Sequence, residues 1–422
     1  MPNKGEKMER GIFDASIRTL HNGLKLITIK KDTQLTAIHT AVNIGSLYEK
    51  DDEKGIAHFI EHMLFKGTES RNNEELNNEL EQRGGEYNAY TDYTSTVYSI
   101  TALSDELEAS LEILADMLQN AVFMEDELEK ERGVILAEIR TSKDDVEDLS
   151  FARINEIAFK KSPLRFDTIG KEKTVKNFTR QQLVNFYKKY YVPNNSYISI
   201  VSPFEHDEME QIINRYFGDW VSKEVEKEKV IIEDNHPCKK TTHKKDIEQS
   251  TIVYAFTFHN LNREEELALK ILNHKFGESA NSILFRKLRE EEGLAYDVYT
   301  HLDMTSCVKM LYIYTAVSKE SVNAAVELIN DCITKIKTKE IKFDDTTVAI
   351  MKKVIKTAVA STLEDSTDLG NYVLHQTIDG ESIYEFVDDM RDMESIKSED
   401  IYSVARKVLD NPTIHILLSQ NE

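Results

Sequence analysis

Apolar and polar positions along the chain follow two different periods. Strand-type patterns, rich in β-branched and aromatic residues between turn signals, fill residues 18–46, 86–103, 248–258 and 295–316. Long helical patterns fill residues 104–159 and 319–378. Strands are grouped with strands and helices with helices, instead of alternating. This grouping predicts an α+β fold with mostly antiparallel sheets packed with helices, not a doubly wound parallel sheet.

The order of these patterns is repeated. TALSDELEASLEIL (residues 101–114) resembles TAVSKESVNAAVEL (residues 315–328), and both predict a strand end, a serine N-cap and an amphipathic helix. GGEYNAYT (residues 84–91) parallels GLAYDVYT (residues 293–300), and each opens a strand. Because the order is kept while the spacing drifts, we predict two homologous domains.

The boundary between the halves is set by composition. A charge run, KEVEKEK, follows Gly218 and precedes Pro237. Such a charged stretch is typical of a linker. We therefore predict an N-terminal domain at residues 1–218, a linker at residues 219–240 and a C-terminal repeat domain at residues 241–422.

Composition narrows the function classes. The chain has 40% hydrophobic and 30% charged residues and a formal net charge of −22. Because nucleic-acid affinity rests on Lys and Arg, this charge argues against a nucleic-acid partner. It either attracts cationic peptides or only keeps the protein soluble. The apolar runs are far shorter than the ~20 residues of a membrane span, so no membrane partner is expected.

The expected compartment is the cytoplasm. Residues 1–7 lead into no apolar stretch of the kind that a secretory signal contains. The cysteines are odd in number and widely spaced, which fits a reducing compartment and argues against a thiolate zinc site. They are Cys238, Cys307 and Cys332.

A candidate metal site lies in the segment HFIEH. His58 and His62 are four residues apart and would share one face of a helix, which Gly55 and Gly67 could bound. Two imidazoles so placed can bind one zinc ion. Glu61 lies beside them and could take a proton from an attacking water and pass it to a leaving amine. A histidine pair of this kind is also often a simple surface pair.

A catalytic zinc ion takes three protein ligands, and the third must come from elsewhere in the chain. Residues 125–142 predict a helix in which Glu131 and Glu138, seven apart, fall on one face with Ile135. Glu138 can be the third ligand, and Glu131 can hold a histidine N–H or tune Glu61. The alternative is a solvated acidic helix, and periodicity alone favours that alternative.

These residues resemble the pitrilysin-type, or M16, metallopeptidases, the family of mitochondrial processing peptidase and insulin-degrading enzyme. The resemblance runs through most of the chain in the family's order, at residues 45–46, 55–68, 84–91, 131–138, 162–170 and 288–296. The two-half layout is similar to the short bacterial subfamily, close to the β subunit of the processing peptidase.

The resemblance implies roles for individual residues. His58, His62 and Glu138 would bind one zinc ion per chain, Glu61 would be the general base and Glu131 its supporting carboxylate. The strand at Asn88, Ala89 and Tyr90 would be the edge on which a peptide adds as a further β-strand. Arg289 and Tyr296 match an Arg/Tyr pair that, in the family, lies in the half of the molecule that closes over the zinc half. Tyr296 could otherwise be a buried strand tyrosine.

The second half has no His-x-x-Glu-His segment, and Ala358 stands opposite Glu138. One half would therefore hold the zinc site and the other the Arg289 and Tyr296 pair. That division fits a homodimer in which the pair completes the partner's site. The expected function is a zinc endopeptidase that cleaves short or unfolded peptides, including leader peptides, inside a closed chamber. The alternative is a non-catalytic, peptide-holding or scaffold subunit of a heterodimer.

Overall fold

The computed structural model describes residues 12–420, so residues 1–7, on which the expected compartment partly rests, lie outside the described part. The strands are β1 (Asp14–Thr19), β2 (Lys25–Lys30), β3 (Leu35–Val42), β4 (Glu86–Thr91), β5 (Thr96–Leu103), β6 (Ser196–Ser202), β7 (Cys238–Lys244), β8 (Ser250–Thr257), β9 (Ala295–Met304), β10 (Lys309–Val317) and β11 (Thr413–Ser419). The helices before the linker are α1 (Ile56–Leu64), α2 (Asn73–Gln82), α3 (Leu107–Asn120), α4 (Glu125–Asp144), α5 (Val146–Ala158), α6 (Glu172–Asn177), α7 (Arg180–Tyr190) and α8 (His206–Phe217). Those after it are α9 (Arg263–Asn273), α10 (Val322–Lys337), α11 (Asp345–Glu364), α12 (Ser366–Asp379), α13 (Glu385–Asp392) and α14 (Ser398–Val408).

The two sheets have the same topology. The first has the order β1-β2-β6-β3-β5-β4 and the second has the order β7-β11-β8-β10-β9. If β7 is matched to β2, each later strand finds its counterpart, and β1 is an addition to the first sheet. Each sheet contains one parallel pair, β2 with β6 and β7 with β11, and all its other pairs are antiparallel. The predicted α+β class with mostly antiparallel sheets is confirmed.

The chain forms two compact units, and each takes one segment from the other half of the sequence. The first unit contains residues 12–140, Asp167–Val230 and Ala360–Glu385. The second contains Thr141–Phe166, Ile231–Val359 and residues 386–420. Helix α12 thus packs on β6 and β3 of the first sheet, and α5 packs on the corresponding strands β11 and β8 of the second. The predicted domain boundaries divide the sequence into its two repeats. In the compact units, each half of the sequence also gives one segment to the other.

The exchanged helix α12 gives the first sheet its second apolar layer. Leu369 and Val373 of α12 pack with Ile27, Ala37 and Val201, which point from three neighbouring strands. All five side chains are at most 1% exposed. Burial of this kind stabilises by about 25 cal/mol per Å² of apolar surface. Both faces of the first sheet are therefore covered, and its far edge, β4, has no strand beside it among the described residues.

The predicted serine caps are wrong. Ser104 and Ser318 do precede amphipathic helices, but neither side chain accepts a hydrogen bond from the helix that follows. A 3₁₀ turn stands between the strand and the helix in both halves, at Ser104–Glu106 and Lys319–Ser321. The turn binds its own backbone groups by i to i+3 hydrogen bonds, so a side-chain cap is not required.

Across residues 12–420, no helix combines the length and the apolar character that crossing a membrane requires.

Candidate metal centre

The helix that carries the histidines, α1, begins beside two buried ionisable residues, Glu49 and Lys54. Gly55 precedes it with φ of 95°, which favours glycine. The Glu49 carboxylate accepts hydrogen bonds from the N–H groups of Gly55 at 3.0 Å and Ala57 at 2.9 Å. The Lys54 ammonium donates to the main-chain oxygens of Ser46 and Glu49. A carboxylate at this position satisfies N–H groups that a helix start leaves without partners, and it opposes the positive end of the helix dipole.

The apolar face of α1 determines where its polar residues point. Phe59, Ile60 and Met63 are fully buried in the core of the first unit. With these residues inside, the histidine side chains reach a half-buried face and remain 17% and 19% exposed for His58 and His62. The two rings pack edge to face, with centroids 4.7 Å apart.

Helix α4 brings Glu138 to the two histidines. Its Oε2 lies 3.6 Å from His62 Nε2 and 4.0 Å from His58 Nε2. Within residues 12–420, these three residues are the one group of histidine, cysteine or acidic side chains with donor atoms all within 4.8 Å of one another. Tetrahedral zinc with bonds of ~2.0–2.1 Å separates its ligands by about 3.3 Å. The donor set and its spacing therefore fit a zinc ion after small side-chain shifts.

Glu131 lies on the same face of α4 as Glu138, two turns earlier, and it orients His62. Its Oε2 lies 3.0 Å from His62 Nδ1, and its Oε1 pairs with Lys66 Nζ at 2.9 Å. The bond to Nδ1 leaves Nε2 of His62 free to face Glu138, as a histidine ligand requires. His58 has no such support, because its Nδ1 is buried without a hydrogen-bond partner among the described residues.

The electrostatics of the group follow from burial and from these pairs. Burial, together with the neighbouring His62, lowers the pKa of His58 to about 4. Burial also acts on His62, but its hydrogen bond to the Glu131 carboxylate and the other carboxylates around it raise its pKa overall. Burial opposes ionisation of Glu131, yet His62 and Lys66 together hold its pKa below the usual value. A neutral imidazole is the form that binds a metal ion, so His58 is ready as a ligand.

Glu61 lies on the same helix and is 9% exposed. Burial raises its pKa, against the hydrogen bond from Thr91. The Thr91 hydroxyl donates to Glu61 Oε2 at 2.5 Å. The carboxylate is therefore held at one oxygen by the last residue of β4.

The residues predicted to bind a peptide lie on this edge strand. Asn88, Ala89 and Tyr90 belong to β4, which pairs on one side with β5. The Ala89 N–H is met by the Asn88 side chain at 2.9 Å, a local bond that an incoming carbonyl could replace. A cavity of about 290 Å³ adjoins the strand and the metal group. Its lining includes Glu61, His62, Phe65, Lys66, Asn77, Tyr87, Asn88, Ala89 and Glu131.

Arg289 and Tyr296 lie in the second unit, not in the unit that holds the metal group. Arg289 is on a π-helical turn, with its guanidinium carbon 5.1 Å from the centre of the Phe285 ring. Tyr296 is near the start of β9 and is 62% exposed. The alternative of a buried strand tyrosine is therefore wrong.

Several contacts of the centre were not anticipated from the sequence. Thr91 and Lys66 were inside recognised segments, but no spacing rule links either to Glu61 or Glu131. His375 and Asn371 on α12 both contact the Tyr90 hydroxyl at 2.7 Å, and no spacing rule links either residue to β4. The exchange of α12 makes these contacts possible, and a linear sequence gives no signal of that exchange.

Two family models match the sequence. The one described as insulinase (peptidase family M16) matches residues 25–172, and the one described as peptidase M16 inactive domain matches residues 177–353. A protein of Rickettsia felis, named an uncharacterized zinc protease, is 30% identical over 417 residues, which cover 96% of this chain and 98% of the relative. This chain belongs to peptidase family M16. The predicted family is thus confirmed.

Further similarities follow the M16 assignment. A probable mitochondrial-processing peptidase subunit beta of Arabidopsis thaliana is 33% identical over 205 residues, which cover 48% of this chain and 39% of that protein. A solved structure of a protease from Helicobacter pylori has a TM-score of 0.89 at 21% identity, over 96% of this chain and 99% of the other. That likeness confirms the two-domain M16 fold. The metal group lies within the part matched by the insulinase model.

Proposed function

We propose that this chain is a zinc endopeptidase that cleaves short or unfolded peptides, with the cytoplasm as its expected compartment. The observation that carries the proposal is the convergence of His58, His62 and Glu138 beside a buried Glu61 and an open strand edge. The zinc proteases among its M16 relatives support zinc as the metal. We propose one ion per chain, because residues 12–420 contain one such group of donors.

The chemistry follows from the donor set and the carboxylate beside it. A zinc ion held by His58, His62 and Glu138 would lower the pKa of a water ligand and polarise a peptide carbonyl. Glu61 accepts a proton from the attacking water and returns it to the leaving amine, which is the work of a general base and then a general acid. Glu131 keeps His62 in the tautomer that presents Nε2.

The substrate lies along β4 as an additional antiparallel or parallel strand. Main-chain hydrogen bonds to Asn88, Ala89 and Tyr90 hold any extended peptide, and the cavity lined by Phe65 and Tyr87 receives a side chain. A folded domain cannot supply a free extended segment, so unfolded peptides and leader segments are the preferred substrates. An enclosed chamber around the site would strengthen this selection.

The first test is cleavage of a mixed peptide library by the purified protein. We expect mass spectrometry to show internal cleavage products with the zinc-loaded protein, and none after the metal is removed by a chelator. Return of zinc should restore the same products. Products that persist in full without metal would contradict the proposal, and a library left intact by a zinc-loaded protein would do so as well.

We also propose that the protein acts as a homodimer in which Arg289 and Tyr296 of one protomer complete the site of its partner. Arginine can hold the substrate backbone, and a tyrosine hydroxyl can stabilise the oxyanion that forms during hydrolysis. The exposure of Tyr296 supports a role in binding over one in packing.

Mixing two inactive variants tests this arrangement. Glu61→Gln removes the base in one chain, and Tyr296→Phe combined with Arg289→Ala removes the Arg/Tyr pair in another. After exchange of subunits, a mixed dimer contains one intact site, so we expect activity to return. Activity that stays at the level of the separate variants, with mixed dimers demonstrated by native mass spectrometry, would contradict the homodimer proposal.

A further inference from the structure

The proposed base, Glu61, is buried and has two carboxylate oxygens that do different things. Thr91 binds Oε2, which leaves Oε1 for the transfer of a proton. A carboxylate on a flexible glutamate side chain rotates unless a partner fixes it. The Thr91 hydroxyl is such a partner, and threonine is suited to it because its β-branched side chain has few rotamers.

The position of Thr91 is itself fixed by the turn that follows it. The Asp92 carboxylate accepts hydrogen bonds from the N–H groups of Thr94 and Ser95, both at 2.6 Å. The Asp92 N–H donates to the Ser95 oxygen at 2.9 Å. The end of β4 therefore closes on itself, and Thr91 is held at the entry to a rigid turn.

The segment before α1 is hydrogen-bonded to this turn. The N–H groups of Ser46 and Leu47 donate to the main-chain oxygens of Asp92 and Tyr93. Gly45 allows the approach, because a Cβ there would lie 2.5 Å from the Asp92 oxygen.

The same segment also supports the helix. Glu49, at the end of this segment, accepts hydrogen bonds from N–H groups at the start of α1. One short stretch, residues 45–49, thus fixes both the helix that carries Glu61 and the strand end that carries Thr91.

We propose that Thr91 is a positioning residue that acts through Glu61, with residues 45–49 setting the distance between them. The proposal rests on the proposed peptidase function. Thr91 orients the carboxylate for proton transfer and couples it to β4, the strand expected to bind the peptide. The base and the substrate strand are then held in one frame, and the peptide that adds to β4 meets a correctly aligned carboxylate.

The test is Thr91→Val, which keeps the shape and removes the hydroxyl, beside Thr91→Ser, which keeps the hydroxyl. We expect Thr91→Val to lower kcat by ~10–100-fold, the size of an orientation loss, with KM unchanged because the side chain contacts Glu61 and not the peptide. Thr91→Ser should recover most of the activity. Zinc content, measured by elemental mass spectrometry, should equal that of the wild type in both variants.

The matched control is Thr101→Val, which removes a threonine hydroxyl from the neighbouring strand β5. That hydroxyl bonds to Thr367 at 3.0 Å. We expect this variant to keep full activity. An active wild type with an equally active Thr91→Val variant would overturn the inference and leave the proposed function standing. Loss of zinc from Thr91→Val would overturn it too, because the hydroxyl would then act on the metal group. A zinc-loaded wild type that cleaves nothing would overturn both.

A second readout needs no activity. Thr91→Val and Glu61→Ala each delete the same hydrogen bond, so their shifts in Tm should be non-additive in the double variant. Strictly additive shifts would show that the two side chains do not interact, and would overturn the inference whatever the kinetics show.

Discussion

Replacing Glu61 by glutamine is expected to lower kcat for peptide cleavage by about 10²–10⁴-fold, the usual contribution of a general base. Glutamine keeps the size of the side chain and an oxygen that can accept from Thr91, but it cannot take a proton from the attacking water. Zinc binding should remain, since Glu61 is not among the three donors that converge. Steady-state kinetics and zinc content measured on the same preparation check both parts.

The control for Glu61→Gln is the same change at Glu81, an exposed residue of α2. We expect Glu81→Gln to behave as the wild type. A Glu61→Gln protein that contains zinc and keeps full activity would show that another group moves the proton, and the mechanism would be wrong. A protein that loses its zinc would instead place Glu61 among the ligands.

The sequence predicts α1 well because its signals are local. Gly55 and Gly67 bracket the predicted helix, and the observed helix is Ile56–Leu64. Both glycines have positive φ, 95° and 123°, which is the backbone state that glycine adopts at low cost. The four-residue spacing of His58 and His62 then places both rings on one face. These features depend on neighbouring residues, so spacing rules capture them.

The choice of Glu131 and Glu138 among the glutamates of α4 needs more than spacing. Periodicity gives the shared face, but the helix has other acidic residues, and periodicity alone favours a solvated acidic face. In the structure, Glu131 is 6% exposed and is paired with His62 of α1 and with Lys66, which lies just after α1. Such tertiary pairing is invisible to periodicity. Only the family resemblance selected these two residues in advance.

The sequence does not predict the exchange of α5 and α12 between the two halves. An amphipathic helix shows from its pattern that one face is buried, but not which sheet buries it. Helix α12 belongs to the second half of the sequence but packs on the first sheet, where the Tyr90 hydroxyl contacts Asn371 and His375. The repeat makes the exchange understandable afterwards, because α5 does the same for the second sheet.

Replacing Glu138 by alanine is expected to abolish zinc binding at micromolar metal and, with it, peptide cleavage. Two histidines remain, but a catalytic zinc ion takes three protein ligands, and Glu138 is the only acidic side chain whose oxygen reaches both histidines in the part of the chain that is described. Glu131→Gln should cost less, about 10–100-fold in metal affinity, because it removes a support of His62 and not a ligand. Competition with a zinc-binding dye measures both affinities.

The order of these two effects distinguishes a ligand from its support. Glu138 is 40% exposed and Glu131 is 8% exposed at the side chain, so a ranking by burial alone would make Glu131 the more damaging site. If Glu138 is a metal ligand, Glu138→Ala should lower zinc affinity more than Glu131→Gln does. Thermal stability should instead follow burial, so Glu131→Gln should lower Tm more than Glu138→Ala. Glu125→Ala, an exposed change at the start of α4, should alter neither quantity. Zinc retained in Glu138→Ala at wild-type affinity would exclude Glu138 as the third ligand.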